Sequence, residues 1–137
     1  MDKALYYLAL ARKAGKAELG EEPVGAAARA LHAHLILVAS DASDHTWRRA
    51  KSFAAGTNQQ CIRLPYTKDD MGLAIGRQAL AIAAVTDVGM ALALVEALSR
   101  PEQLKSVIQV LEEKKARISQ RRSEEKAHRR NVRKGKK

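Results

Sequence analysis

The residues that could act together as a hydrolytic set crowd into one short run: Ser40, Asp41, Ser43, Asp44 and His45. A catalytic triad is assembled by geometry from separated segments, whereas consecutive Ser and Asp side chains suit the start of a helix, where their oxygens accept from open amide groups. The four histidines, His32, His34, His45 and His128, lack the spacing of metal ligands, and no second group of cysteines or acids accompanies them. Gly20, Gly25, Gly72, Gly76 and Gly89 form neither the dinucleotide fingerprint nor the P-loop pattern. The single cysteine, in Cys61-Ile62-Arg63-Leu64, reads as a strand residue, has no partner for an internal disulfide and fits a reducing compartment. Catalysis, cofactors, metals and small-molecule substrates are therefore not expected.

A different chemistry is offered by Leu19-Gly20-Glu21-Glu22-Pro23. A glycine ahead of a helix lets another backbone approach and leaves the first helical amides pointing outward, an arrangement that can receive RNA. The alternative is that Glu21 and Glu22 only offset the helix dipole. Arg12, Lys13 and Lys16 lie close by in sequence and could grip phosphates, or could be ordinary solvated charges.

The charge distribution gives these residues a context. The 137-residue chain carries a formal net charge of +10 from 25 Lys+Arg and 15 Asp+Glu. Residues 1–100 hold 12 basic and 10 acidic side chains, whereas residues 117–137 hold ten and two. A nearly neutral module followed by a basic tail suggests recognition by the first and phosphate attraction by the second. No export signal or membrane span is read near the N-terminus, and a cytoplasmic protein is expected.

The elements that must position these residues follow from periodicity. Asp2 caps a first helix through Leu5, Leu8, Ala9 and Leu10 to Ala14-Gly15, and Ala17-Glu18-Leu19 is a short strand. A second helix starts at Glu21-Glu22-Pro23 with the stripe Val24, Ala27, Ala28 and Leu31. Leu35 to Ala39, Cys61 to Leu64 and Leu80 to Val85 are short apolar strands that need cover on both faces. Between them run a third helix carrying Trp47, Ala50 and Ala54 as core, and a fourth opened by a variant capping box at Thr67 with Leu73, Ala74 and Ile75. Thr86-Asp87 starts a fifth helix through Leu98; Pro101 opens a sixth, whose stripe of Leu104, Val107, Ile108 and Leu111 stops beyond Ile118. The tail from Gln120 is expected to be helical only in part. This alternation predicts an α/β fold, a three-layer α/β/α sandwich, with a domain at residues 1–100 and a C-terminal helix and basic tail at 101–137.

The order and spacing of several segments carry a resemblance: Leu8 to Lys16, Gly20-Glu21-Glu22-Pro23-Val24, Leu35 to Ser43, Gly72-Leu73-Ala74-Ile75-Gly76-Arg77 and Ala84 to Gly89. From about Leu5 to Leu98 the chain resembles the L-seven-Ae/L-thirty-e ribosomal protein family, most closely its bacterial ribosome-associated branch. That resemblance implies a four-stranded mixed sheet and a non-catalytic, kink-turn RNA-binding surface made by the turn before the second helix and the loop before the last strand. It implies structured RNA as partner, ribosomal RNA and ribosomal proteins among the candidates. In the best-known members the turn reads Gly-x-Asn-Glu-x-x-Lys; here Gly20 keeps the glycine, and Glu22, Pro23 and Ala26 stand at the Asn, Glu and Lys positions. Glu22 is then the one side chain of those three able to accept from guanine, Arg29 one turn on from Ala26 could reach a phosphate, and Gly76, Arg77 and Gln78 stand where the family touches an unstacked nucleotide. The alternative function is a protein-interaction adaptor that keeps the fold and has lost specific RNA recognition.

Overall fold

The structure is a computed structural model that describes residues 2–99 and 101–135. Its elements, in chain order, are α1 (Lys3–Lys13), β1 (Ala17–Leu19), α2 (Glu21–Arg29), β2 (Leu35–Val38), α3 (Asp44–Ala54), β3 (Gln60–Arg63), α4 (Lys68–Ala74), β4 (Ile82–Val85), α5 (Val88–Ala97) and α6 (Pro101–Gly135). Short polar side chains set most of the helix starts. Asp2 accepts from the Ala4 amide, Ser43 from Thr46 and Asp87 from Met90. Thr67 and Asp70 bond each other's amides in a full capping box. The oxygens of the Ser40–His45 run are used in the same way, since Asp41 also accepts from the Lys68 amide at 2.8 Å and so ties the start of α4 to the end of β2.

The four strands form one sheet in the order β1-β4-β2-β3. β4 pairs antiparallel with both β1 and β2, while β2 and β3, joined through α3, pair in parallel. The two-residue period of a strand sends Leu35, Leu37, Ala83 and Val85 to one face, where they meet Leu5 and Leu8 of α1, Met71 of α4 and Leu94 and Val95 of α5. Ile36, Val38, Ile82 and Ala84 face the other way, onto Val24 and Ala28 of α2 and Ala50 of α3. The α/β/α sandwich with a four-stranded mixed sheet is thus observed as expected. The first half of α6 packs into the same core as α5: Val107 and Leu111 are buried, with Leu104, Ile108 and Ile118 against them. The folded core therefore continues past residue 100, to about Ile118.

Four local expectations are corrected. Leu31 is not the end of the α2 stripe; it is the residue that stops the helix, at φ 62° and largely exposed. It closes a Schellman arrangement in which the His32 amide bonds the Ala27 carbonyl and the Leu31 amide that of Ala28. In α4 the inward residues are Met71 and Ile75, and Leu73 faces solvent. Trp47 packs against the core cluster that holds Ala50 but is only half-buried, with the Arg63 guanidinium 4.7 Å and the Lys51 ammonium 5.3 Å from the ring centre. The one buried residue of α3 is Ala50; Phe53 packs half-buried against the same cluster, where Gly25 of α2 presents no side chain to its ring. Finally, the tail is not a partial helix. α6 runs unbroken to Gly135, exposed at every position from Ser119 to Arg129 and carried by Arg, Lys, Glu, Gln and Ala, which favour helix without needing a core. Lys136 and Lys137 of the expected tail lie outside the described residues.

Candidate nucleic-acid interface

Gly20 links β1 to α2 with φ 96° and ψ 162°, a conformation open in practice to glycine alone. Its amide donates to the Ile82 carbonyl at 3.0 Å, one step beyond the β1–β4 ladder that ends at Leu19 and Ala83. This bond fastens the turn to the first residue of β4, the strand fed by the Gly76–Ala79 loop. The two segments expected to form one surface are therefore adjacent at the same end of the sheet.

On the turn side, α2 begins without a side-chain cap, and Pro23 has no amide hydrogen. The first helical amides, those of Glu21 and Glu22, have no intrahelical acceptor and point outward. The two carboxylates differ. Glu21 is held by Arg49 of α3 at 2.6 Å, so its charge is neutralised across the α2–α3 junction. Glu22 is exposed.

On the loop side, Gly76 takes φ 74° and the chain folds back on α4. The Arg77 amide donates to the Gly72 carbonyl at 2.8 Å and the Leu80 amide to the Lys68 carbonyl at 2.9 Å. Arg77 and Gln78 are left exposed. A Cβ on Gly72 would stand 2.7 Å from the Ala79 Cα and amide nitrogen and 2.9 Å from the Arg77 carbonyl oxygen, all main chain. Gly72→Ala must therefore push the loop away, and it is expected to cost about 1–3 kcal/mol by overpacking. Urea unfolding of the variant checks this; wild-type stability would mean that the loop does not rest on α4.

The remaining expected residues are spread more widely. Lys16 lies at the far end of β1, where its carbonyl accepts from the Thr86 amide beyond the end of β4, and Arg12 and Lys13 close α1 just before it. Lys16 shares a groove of about 550 Å³ with Glu18, His32, Thr86 and the α2 residues Pro23, Ala26, Ala27 and Ala30. Those four recur at i, i+3, i+4 and i+7, which makes one wall of the groove smooth and nearly uncharged. Arg29 lies two turns along α2 from Glu22 and covers Gly25, its guanidinium nitrogen 3.3 Å from where a Cβ would be. Gly20, Glu21, Glu22, Gly76, Arg77 and Gln78 thus gather at one end of the sheet, while Arg12, Lys13 and Lys16 sit toward the other.

Sequence reasoning passed over Gly72 as a positioning residue, Arg49 as the partner of Glu21, and Glu18, His32 and Thr86 as groove wall. Gly72 gave no local signal, because what forbids a side chain there is main chain seven residues on. Cys61 is as inert as its context suggests. Burial pushes its thiol up to about 11, against a smaller opposing pull from Lys51, so it stays protonated near neutrality.

Among the described residues no group of three or more His, Cys, Asp or Glu could hold a metal ion, and no helix is long and apolar enough to cross a membrane. The fold and this end of the sheet define a class, a three-layer α/β/α domain in which a glycine turn is bonded to the start of the strand that a glycine loop feeds. No protein-family model matches the chain, and no curated protein does. Solved structures do. A Bacillus halodurans protein of unknown function matches with a TM-score of 0.66 and 26% identity, covering 71% of this chain and 97% of its own. A 15.5kD RNA binding protein of Giardia lamblia matches with a TM-score of 0.60 and 13% identity over 74% of this chain and 87% of its own.

Proposed function

We propose that this protein is a non-catalytic RNA-binding protein of the translation apparatus, taking structured, kink-turn-like RNA at the Gly20 turn and the Gly76–Ala79 loop. The observation that carries the reading is the Gly20–Ile82 bond, which brings two separate glycine turns together with outward amides, one open carboxylate at Glu22 and the exposed Arg77 and Gln78. That set suits a bent RNA. Amides receive phosphate, Glu22 accepts from guanine N–H groups, and Arg77 with Gln78 meets an unstacked base. The net charge of +10 and the fold shared with an RNA-binding protein support the same reading. Ribosomal RNA is the proposed partner and the cytoplasm the proposed location.

One observation favours an adaptor instead: the smooth wall of Pro23, Ala26, Ala27 and Ala30 suits an apolar partner better than a base edge. The test sets the two readings against each other. Pro23→Glu with Ala26→Lys restores two polar groups to the turn, and at roughly 1–3 kcal/mol per base contact it should improve discrimination for a kink-turn RNA over a straight duplex by about tenfold or more. Both proteins are titrated with both RNAs at one moderate salt concentration. If neither distinguishes them, the turn is not a kink-turn site and the adaptor reading replaces this one.

A further inference from the structure

At the opposite end of the sheet from the Gly20 turn, the start of β2 meets α6. Lys114 of α6 is 7% exposed, and its ammonium group donates to Nδ1 of His34 at 3.2 Å. The two line a pocket of about 180 Å³ with Asn58, Arg117, Ile118 and Arg121. Three permanent or near-permanent cations and an imidazole therefore surround one small space. Among the described residues the ion pair nearest this pocket is Arg117 with Glu113, one turn back, at 3.8 Å with both side chains more than half exposed, and an exposed pair of that kind neutralises little. Among the described residues no carboxylate forms an ion pair with Lys114.

A buried lysine whose polar contact is a second basic group is costly unless something supplies negative charge. His34 is held below its ordinary value by burial, with Lys114 and His32 acting in the same direction and Asp87 against them. Lys114 is likewise held low by burial and by Arg117. Both groups would be relieved by the same event, entry of an anion. We propose that this pocket binds a single phosphoryl group, presented by the backbone of an RNA strand lying against α6. The size fits, because the space is below the roughly 300 Å³ at which pockets for whole small-molecule ligands begin. It admits one group of a larger molecule, and Asn58 and the two arginine side chains supply directed donors for its oxygens. The strand as source rests on the RNA-binding reading above; the anion site itself does not.

The experiment uses the full chain. The His34 imidazole is followed by NMR through a pH titration with and without inorganic phosphate at fixed ionic strength. Phosphate should raise the His34 pKa, and Lys114→Met or Arg121→Gln should abolish that rise. Arg121 is exposed, so its variant stays informative if Lys114→Met fails to fold. Affinity for a single-stranded RNA is then measured against salt. Arg121→Gln should make the log-log slope shallower by about 0.7, one phosphate contact on a single strand. A His34 pKa unmoved by phosphate overturns the site. A pKa that moves while the RNA slope is unchanged overturns the strand as source and assigns the pocket to free phosphate. Discrimination between kink-turn and duplex belongs to the other end of the sheet, so its presence or absence leaves this outcome unaffected.

Discussion

Cutting the chain after Arg121 should remove most of the salt dependence of the proposed RNA binding while leaving the folded core intact. Residues 122–137 carry eight Lys+Arg and two Asp+Glu; the segment is helical to Gly135 and exposed at every position from Arg122 to Arg129. Each phosphate contact contributes roughly 0.7–0.9 to the slope of log affinity against log salt. If half of the eight basic residues engage, the slope should shallow by about 3 and the loss of affinity between 50 and 200 mM salt should shrink by roughly a hundredfold. The comparison is made with one RNA, titrating full-length and truncated protein across that range. Equal slopes would show that the arm makes no phosphate contacts. The cut is placed after Arg121 because an earlier one at residue 100 would also remove Val107 and Leu111 from the core.

The second large effect concerns stability. Leu111 has no exposed surface and packs in the cluster that joins α1, α4 and α5 to the sheet. Leu111→Ala should therefore cost about 2–5 kcal/mol, the usual range for a buried leucine, with the larger values where the surroundings cannot collapse into the gap. Denaturant unfolding monitored by circular dichroism measures it. An unchanged midpoint would mean that α6 does not dock on the core. Lys115→Ala, one turn along on the exposed side of α6, serves as the control and should change stability little.

The architecture was legible because the two central strands, β2 and β4, are short apolar runs set between amphipathic helices, so the layers follow from the need to cover Leu35–Val38 and Ile82–Val85 on both faces. Helix starts were legible too, since Asp2, Ser43, Thr67 and Asp87 act through neighbours two or three residues away. What failed were assignments depending on contacts across the fold. The stripe that includes Leu31 gives no sign that its helix ends two residues earlier, at Arg29, and the spacing that puts Trp47 on the face of Ala50 gives no sign of the Arg63 and Lys51 cations that lie over its ring. In the candidate interface, the turn and the loop were found by their glycines, but the bond that ties the turn to Ile82 at the start of β4 and the pairing of Glu21 with Arg49 exist only after folding. Arg12, Lys13 and Lys16 seemed near Gly20 because only a few residues intervene. A strand, unlike a turn, spends those residues on distance.

The unbroken course of α6 from the core to Gly135 has a consequence for how the arm could be read by a partner. A flexible tail averages its charges over a volume, so its attraction is indifferent to where along the chain each one sits. A continuous helix instead gives every side chain a fixed azimuth: each residue advances the axis by about 1.5 Å and turns it by about 100°. One residue inserted after Ile118 would swing all the later cations round by that angle, whereas seven would return them to within about 20° of their first bearing, some 10 Å further out. The arm is thereby phased to the domain, and its partner must match a rotation as well as a charge.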